Sequence, residues 1–209
     1  MIKLHHLNNS RSHRVLWLLE ELGTAYEIVP YKRDAATRLA PPELKKVHPL
    51  GKSPVISDGD RVVAESGAII EYLTKKYGKG KLWPAESAPN WSEHTHWMHF
   101  AEGSAMLPFL LALYVGMLGE SGAPLKPRIE SEIANHLSYM DGALAARDYF
   151  AGNEFTAADI QMSFILEIAD RSERLKDYPR LAALLKRLRE RPAYKRAIEK
   201  GGPLELMRR

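Results

Sequence analysis

Apolar positions change their period along this chain, and the changes mark its elements. Ile2–Leu7 is a short apolar-rich run closed by Asn8-Asn9-Ser10, a signal for a turn and a helix start. From Arg11 to Leu22 the residues Val15, Leu16, Leu18, Leu19 and Leu22 recur at helical spacing and stop at Gly23. Tyr26–Tyr31 predicts a second strand, and Ala40–Val47, opened by Pro41 and Pro42, a short helix. Pro54–Ser57 and Val62–Ala64 predict two strands around the hairpin turn Asp58-Gly59-Asp60. Ser66 is expected to cap a helix carrying Ile69, Ile70, Leu73 and Tyr77 on one side and ending at Gly78. The order β-α-β, short helix, β-β-α describes a small mixed α/β sheet domain over residues 1–78.

Residues 79–90 have no apolar period and are rich in Gly, Lys, Pro and Ser, as a linker is. The remainder, residues 91–209, reads as helix throughout. Trp91–Gly119 is long and apolar, and Pro124–Ala146 carries Ile129, Ile133, Leu137, Met140 and Leu144. Thr156–Asp170 opens with Thr156 at the cap and Asp159 three residues on, a carboxylate variant of the capping box. Pro179–Leu188 and Pro192–Lys200 each begin with Pro at the first helical position. The expected fold class is therefore α/β followed by all-α.

Composition removes several chemistries. The 209 residues are 45% hydrophobic and 27% charged, which is ordinary for a globular protein, and contain no Cys. Disulfide scaffolds, zinc–cysteine sites, iron–sulfur clusters and any mechanism with a protein thiol are excluded. The longest uncharged stretch, Gly103 to Gly119, is interrupted by Pro108 and Gly116 and predicts a core helix rather than a membrane span. A cytoplasmic protein without membrane contact is the expectation. The net charge of +4 is uneven: residues 171–209 hold 13 Lys or Arg and 5 Asp or Glu. These bases are interleaved with Leu181, Leu184, Leu185 and Leu188 at helical spacing, so they predict a solvated helix face and no nucleic-acid partner.

Three places offer polar groups at element ends. At Asn9-Ser10-Arg11 the backbone N–H groups and dipole of the first helix favour an anion, while Ser10 also suits a simple cap. At Lys52-Ser53-Pro54 a proline opens a strand and cannot donate to its ladder, which frees the Ser53 backbone for a ligand if the Ser53–Pro54 bond is cis. At Glu65-Ser66 a helix start would offer donors to a carboxylate and Glu65 an acceptor to an ammonium group, together a receptor for an amino-acid zwitterion.

Taken in order, Asn9-Ser10-Arg11-Ser12-His13-Arg14-Val15, Gly51-Lys52-Ser53-Pro54-Val55 and Glu65-Ser66-Gly67-Ala68-Ile69 resemble the cytosolic glutathione transferases. Thr156-Ala157-Ala158-Asp159, Tyr178-Pro179 and Arg191-Pro192-Ala193-Tyr194 extend the resemblance over essentially the whole chain. It implies a thioredoxin-like first domain, an all-helical second domain, a cis Pro54, a homodimer and a part in detoxification. It implies glutathione as co-substrate rather than a bound cofactor. Glu65 and Ser66 would hold the γ-glutamyl end, the Ser53 backbone the cysteinyl amide, and Lys52 would lie near a carboxylate. Asp159 would belong to a structural cap.

The resemblance also implies a catalytic hydroxyl near the start of the first helix. Strand 1 offers His5, His6 and Leu7 where some classes have Tyr, there is no Cys, and the arrangement resembles the serine type of theta- and delta-like members, with Ser10 in the matching place. Leu7-Asn8-Asn9-Ser10 departs from their usual Pro-Gly turn, which leaves Asn9 or Arg11 able to share or take the role. Ser53 and His48 stand where the family often has Val and Asn. The implied reaction is attack of the glutathione thiolate on a small hydrophobic electrophile in a cleft between the domains, with Met106, Phe109 and Tyr114 as candidate walls. A glutathione-dependent isomerase or peroxidase, or a non-catalytic glutathione- or partner-binding module, are the alternatives. No metal site is expected, because of His94, His96 and His99 only His96 and His99 share a helix face.

Overall fold

The structure, a computed structural model, describes residues 1–205, so Arg208 and Arg209 of the basic tail lie outside it. Strands β1 (Ile2–Leu7), β2 (Tyr26–Tyr31), β3 (Val55–Asp58) and β4 (Arg61–Ala64) pair in the order β2-β1-β3-β4. β1 runs parallel to β2, from Ile2 opposite Tyr26 to Leu7 opposite Tyr31. β1 and β3, and β3 and β4, are antiparallel. Pro30 is tolerated in β2 because that strand lies at the sheet edge, where a missing N–H breaks no inner ladder.

The crossover between the parallel strands is α1 (Ser12–Leu22), which ends on Gly23 in the left-handed conformation. Val15, Leu16, Trp17, Leu18 and Leu19 are all fully buried, so α1 is covered all round rather than along one stripe. It packs against β1, α2 (Ser66–Tyr77) and α8 (Pro192–Gly201). Each buried Leu or Val of α1 contributes roughly 1.5–3 kcal/mol, and Leu16→Ala would cost ~2–5 kcal/mol. The expected helix over Ala40–Val47 is one 3-10 turn, Pro42–Lys46.

The other helices are α3 (Trp91–Phe100), α4 (Met106–Gly116), α5 (Lys126–Ala143), α6 (Ala157–Arg171) and α7 (Pro179–Glu190). The single helix expected over Trp91–Gly119 is interrupted by a π turn at Ala101–Ala105. Pro108 supplies the reason: it has no N–H for the carbonyl four residues back, and a wider turn ahead of it relieves the crowding. The 26-residue run Trp91–Gly116 is long and apolar enough to cross a membrane by length and composition, yet it packs on α5 and α6. α6 begins with the expected capping box: Thr156 N–H donates to Asp159 at 2.8 Å. Asp159 also accepts the Phe150 N–H at 2.9 Å, and burial pushes its carboxyl up to about 6 despite these donors.

The chain forms two compact units. One is Met1–Ala85 with the segment that begins at Arg187, and the other is Glu86–Lys186. Hence α8, which periodicity alone would group with the other helices, belongs to the sheet-bearing unit. Charge fixes it there. Arg191 makes a two-pronged pair with Glu21 at 2.6 and 2.9 Å. Glu20 takes Arg196 at 2.6 Å and Lys200 at 2.5 Å, and Tyr26 donates to the same carboxylate. Tyr194 meets His13 and Trp17 edge-on at 5.1 and 5.2 Å. Arg174 pairs with Glu130, and Arg180 with Asp141 at 2.8 Å. Much of the basic tail is thus matched to acids of the same chain.

Candidate active site

The turn from β1 into α1 is a buried chain of hydroxyls. Ser10 Oγ lies 2.8 Å from both Leu7 O and Ser12 Oγ, and accepts the Ser12 N–H at 3.1 Å. Ser12 Oγ lies 2.9 Å from His6 Nδ1, and His6 Nε2 lies 3.0 Å from Gly201 O. A carbonyl only accepts, so Nε2 carries the ring proton and Nδ1 accepts from Ser12. Burial lowers the His6 pKa against the pull of the Gly201 bond, which keeps the ring neutral. Ser10 is buried, at 5% exposure. Arg11, not Ser10, occupies the backbone cap position of α1, although the Ser10 hydroxyl still satisfies the Ser12 N–H.

Asn9 precedes this chain with φ 52°, a left-handed conformation that Asn tolerates better than most residues. Its Oδ1 accepts the Glu205 N–H at 2.6 Å, and Asn8 Oδ1 accepts the Arg33 N–H at 2.9 Å. The amide oxygens of both asparagines therefore hold neighbouring backbone.

The Ser53–Pro54 bond is cis. Ser53 Oγ donates to His5 O at 2.8 Å and accepts the Leu7 N–H at 3.2 Å, which stitches this loop to the end of β1 beside the Ser10 turn. Gly51 has φ 57°, and a Cβ there would stand 2.8 Å from Lys45 Cγ. Lys52 is exposed.

Glu65 has φ 69° and occupies the cap position of α2, with its side chain exposed. A non-glycine residue held there costs about 1–3 kcal/mol, and such strain gathers at functional sites. Glu65 holds the cap position without a side-chain cap bond, and Ser66, contrary to expectation, is the first residue of α2. Its Oγ instead accepts Arg14 Nη1 at 3.4 Å, which ties the start of α2 to α1. The three polar segments read from the sequence are thus linked through β1 and α1, within one unit.

On α4, Met106 and Phe109 are buried while Tyr114 is 60% exposed. Leu107 and Leu111 are exposed on the same helix, spaced with Tyr114 at i, i+4 and i+7. The sequence reading missed these two leucines because it counted them as core. His94 is fully buried, and His96 meets Tyr139 OH at 3.0 Å and stacks on Phe100.

A mixed four-stranded sheet that sets a cis-proline loop beside the start of its first helix, followed by a helical unit, defines a thioredoxin-like two-domain protein. Comparison with known proteins narrows the class. Residues 1–75 match the model for the glutathione S-transferase N-terminal domain, and residues 98–192 that for its C-terminal domain. Glutathione S-transferase 3 of Schizosaccharomyces pombe is 39% identical over 96% of this chain and 88% of its own length. The crystal structure of a glutathione S-transferase from Actinobacillus pleuropneumoniae superposes with TM-score 0.89 at 35% identity, covering 98% of this chain and 95% of that one. A sphingomonad glutathione S-transferase solved with glutathione gives TM-score 0.81 at 26% identity, covering 96% and 98%. The chain belongs to the glutathione S-transferase family and is an enzyme of that family.

Proposed function

We propose that the protein binds glutathione in its sheet-bearing unit and transfers the glutathione thiolate to small hydrophobic electrophiles. The sulfur attacks an electrophilic carbon, a carbon–sulfur bond forms, and the leaving group departs with its electron pair. The observation that carries this reading is the linkage of the Ser10 turn, the cis Ser53–Pro54 loop and the Glu65–Ser66 corner through β1 and α1. In this reading Glu65 and Ser66 hold the γ-glutamyl end, the Ser53 backbone pairs with the cysteinyl amide, and Lys52 meets a carboxylate. The sulfur rests at the start of α1 beside Ser10, flanked by Asn9 and Arg11.

The protein supplies no nucleophile and has only to ionise the bound one. A free thiol has pKa about 8.5, and lowering it by about two units needs ~2.7 kcal/mol of preference for the anion. A hydroxyl bond to a charged sulfur gives ~1.5–3 kcal/mol, and the helix start ~0.3–1 kcal/mol. Turning the Ser10 proton to the sulfur gives up its bond to Leu7 O, since the Ser12 proton is committed to His6 Nδ1.

The electrophile is taken by the apolar side chains of α4, where Tyr114 offers exposed area and Met106 and Phe109 form the packed layer. We further propose that the enzyme works as a cytoplasmic homodimer in detoxification, as its family resemblance implies. Assays with a chloronitrobenzene, an organic hydroperoxide and a cis-enone acid test the reaction class. Turnover of the first supports transfer; turnover confined to the second or third moves the assignment to a peroxidase or an isomerase.

A further inference from the structure

Arg33, two residues beyond β2, makes a three-way fork with backbone carbonyls. Its Nε donates to Asn8 O at 3.2 Å, its Nη2 to Asn9 O at 3.1 Å and its Nη1 to Arg38 O at 3.0 Å. Its own N–H goes to Asn8 Oδ1 at 2.9 Å. Every one of these acceptors is neutral, so among the described residues the half-buried guanidinium has no ion-pair partner. The neighbouring Asp34 gives its carboxylate to the Ala36 and Thr37 N–H groups and the Thr37 hydroxyl. Burial, then the charges of Arg38 and Arg11, push the Arg33 pKa down, which marks the surroundings as electropositive. His6, the remaining titratable group on the turn, is kept neutral by burial. Glu205 approaches the turn through its backbone N–H on Asn9.

A cation held without a counter-ion costs free energy unless something else uses its field. The fork grips the two carbonyls that immediately precede Ser10. The Asn9 carbonyl shares its peptide unit with the Ser10 N–H, so a cation on that oxygen makes the N–H a stronger donor. The Ser10 and Ser12 hydroxyls meanwhile hold no net charge and are engaged toward Leu7 O and His6.

We propose that Arg33 is a positioning residue that fixes the Asn8-Asn9 turn from behind and supplies a standing positive charge for the glutathione thiolate at the start of α1. This rests on the glutathione-transfer reading above. The fork sets the shape of the turn, and the uncancelled charge lowers the sulfur pKa through the carbonyls and through space. A lysine at this position would keep the charge but lose the fork, because its ammonium cannot span three carbonyls in one plane.

The test uses the whole protein, reduced glutathione and S-methylglutathione, which has no thiol to ionise. Thiolate absorbance is followed against pH in the complexes of wild type, Arg33→Lys and Arg33→Met, and S-methylglutathione affinity is measured by calorimetry. The expected result is a thiol pKa raised by about one unit, a tenfold loss of thiolate preference, in Arg33→Met. Arg33→Lys should show less than half that shift, and both variants should bind S-methylglutathione within about threefold of wild type. An unshifted titration in Arg33→Met overturns the proposal. So does a Lys variant as impaired as the Met variant, or an S-methylglutathione affinity that falls in step with the pKa change, since either makes Arg33 a structural prop only. If Arg33→Met does not fold, Arg33→Gln is judged by the same thresholds. Failure of the parent reading looks different: wild type itself then binds no glutathione or leaves its thiol at the solution pKa.

Discussion

Ser12 Oγ stands 2.9 Å from His6 Nδ1, and because the other ring nitrogen is given to Gly201 O, the proton between them belongs to Ser12. Ser10 keeps a proton of its own and can redirect it. Ser10→Ala should therefore raise the bound thiol pKa by about 1–2 units, matching the ~1.5–3 kcal/mol of a hydroxyl bond to a charged sulfur. Ser12→Ala should leave that titration nearly unmoved while destabilising the fold by ~1–3 kcal/mol, since His6 Nδ1 loses its donor. Thiolate absorbance against pH, with denaturant melts alongside, measures both. An unchanged curve in Ser10→Ala transfers the role to Asn9 or Arg11.

His13 is buried on α1, its Nε2 without a partner among the described residues and its ring against Tyr194. Burial, helped by the nearby His6, holds its pKa down at about 3. The unfolded chain takes up this proton near 6.5, so the stability His13 contributes is present above that pH and is lost as pH falls toward 3. The upper bound of this loss is ~5 kcal/mol. His13→Leu should flatten the acid limb of a melting-temperature profile across that window. A profile identical to wild type between pH 6.5 and 4 refutes the assignment.

Asp159 accepts the buried N–H groups of Phe150 and Thr156, and both lose their partner in Asp159→Ala. At ~1–3 kcal/mol per orphaned donor the expected cost is ~2–6 kcal/mol, read as a lower denaturant midpoint. The sign of its pH dependence is opposite to that of His13. Its folded pKa of about 6 lies above the unfolded 3.8, so its proton-linked stability is full below 3.8 and lost as pH rises through 6. Wild type should gain on Asp159→Asn as pH is lowered across that interval.

Glu20 gathers Arg196, Lys200 and Tyr26 on one carboxylate. Burial pushes its pKa up, but the bonds from Lys200, Tyr26 and Arg196 and the Lys200 charge outweigh it and bring it down to about 2. The stability it lends is present above 4.5 and lost as pH falls toward 2. Both cations are about half exposed, so solvent screening reduces the cost of Glu20→Gln to ~1–2 kcal/mol. Faster amide exchange along α8, with little change in α5 or α6, is the expected signature.

Period and turn chemistry made most of the fold legible. Both β1 and β2 begin and end where alternation and flanking polar residues put them, and Gly23 stops α1. The α4 face was less accessible. A π turn at Ala101–Ala105 adds a residue and rotates everything beyond it by ~100°, so a pattern continued from Trp91 misassigns Leu107 and Leu111. The site's loops were legible as motifs, whereas the strained Glu65 backbone and the Arg33 fork left no periodic trace. Their geometry arises from partners distant in sequence. The same holds for the tail: its charge excess is visible in the letters, but its matching to Glu20 and Glu21 is not.

Because α8 closes over α1, the unit that carries the Ser10 turn is assembled from both ends of the chain. During synthesis the strands and α1 emerge first and must wait, with Leu16 and Trp17 lacking their final cover, until α8 has left the ribosome. A fragment ending near Ala85 should therefore behave as an incomplete globule, prone to aggregate, whereas adding α8 back as a separate peptide would be expected to restore it in part.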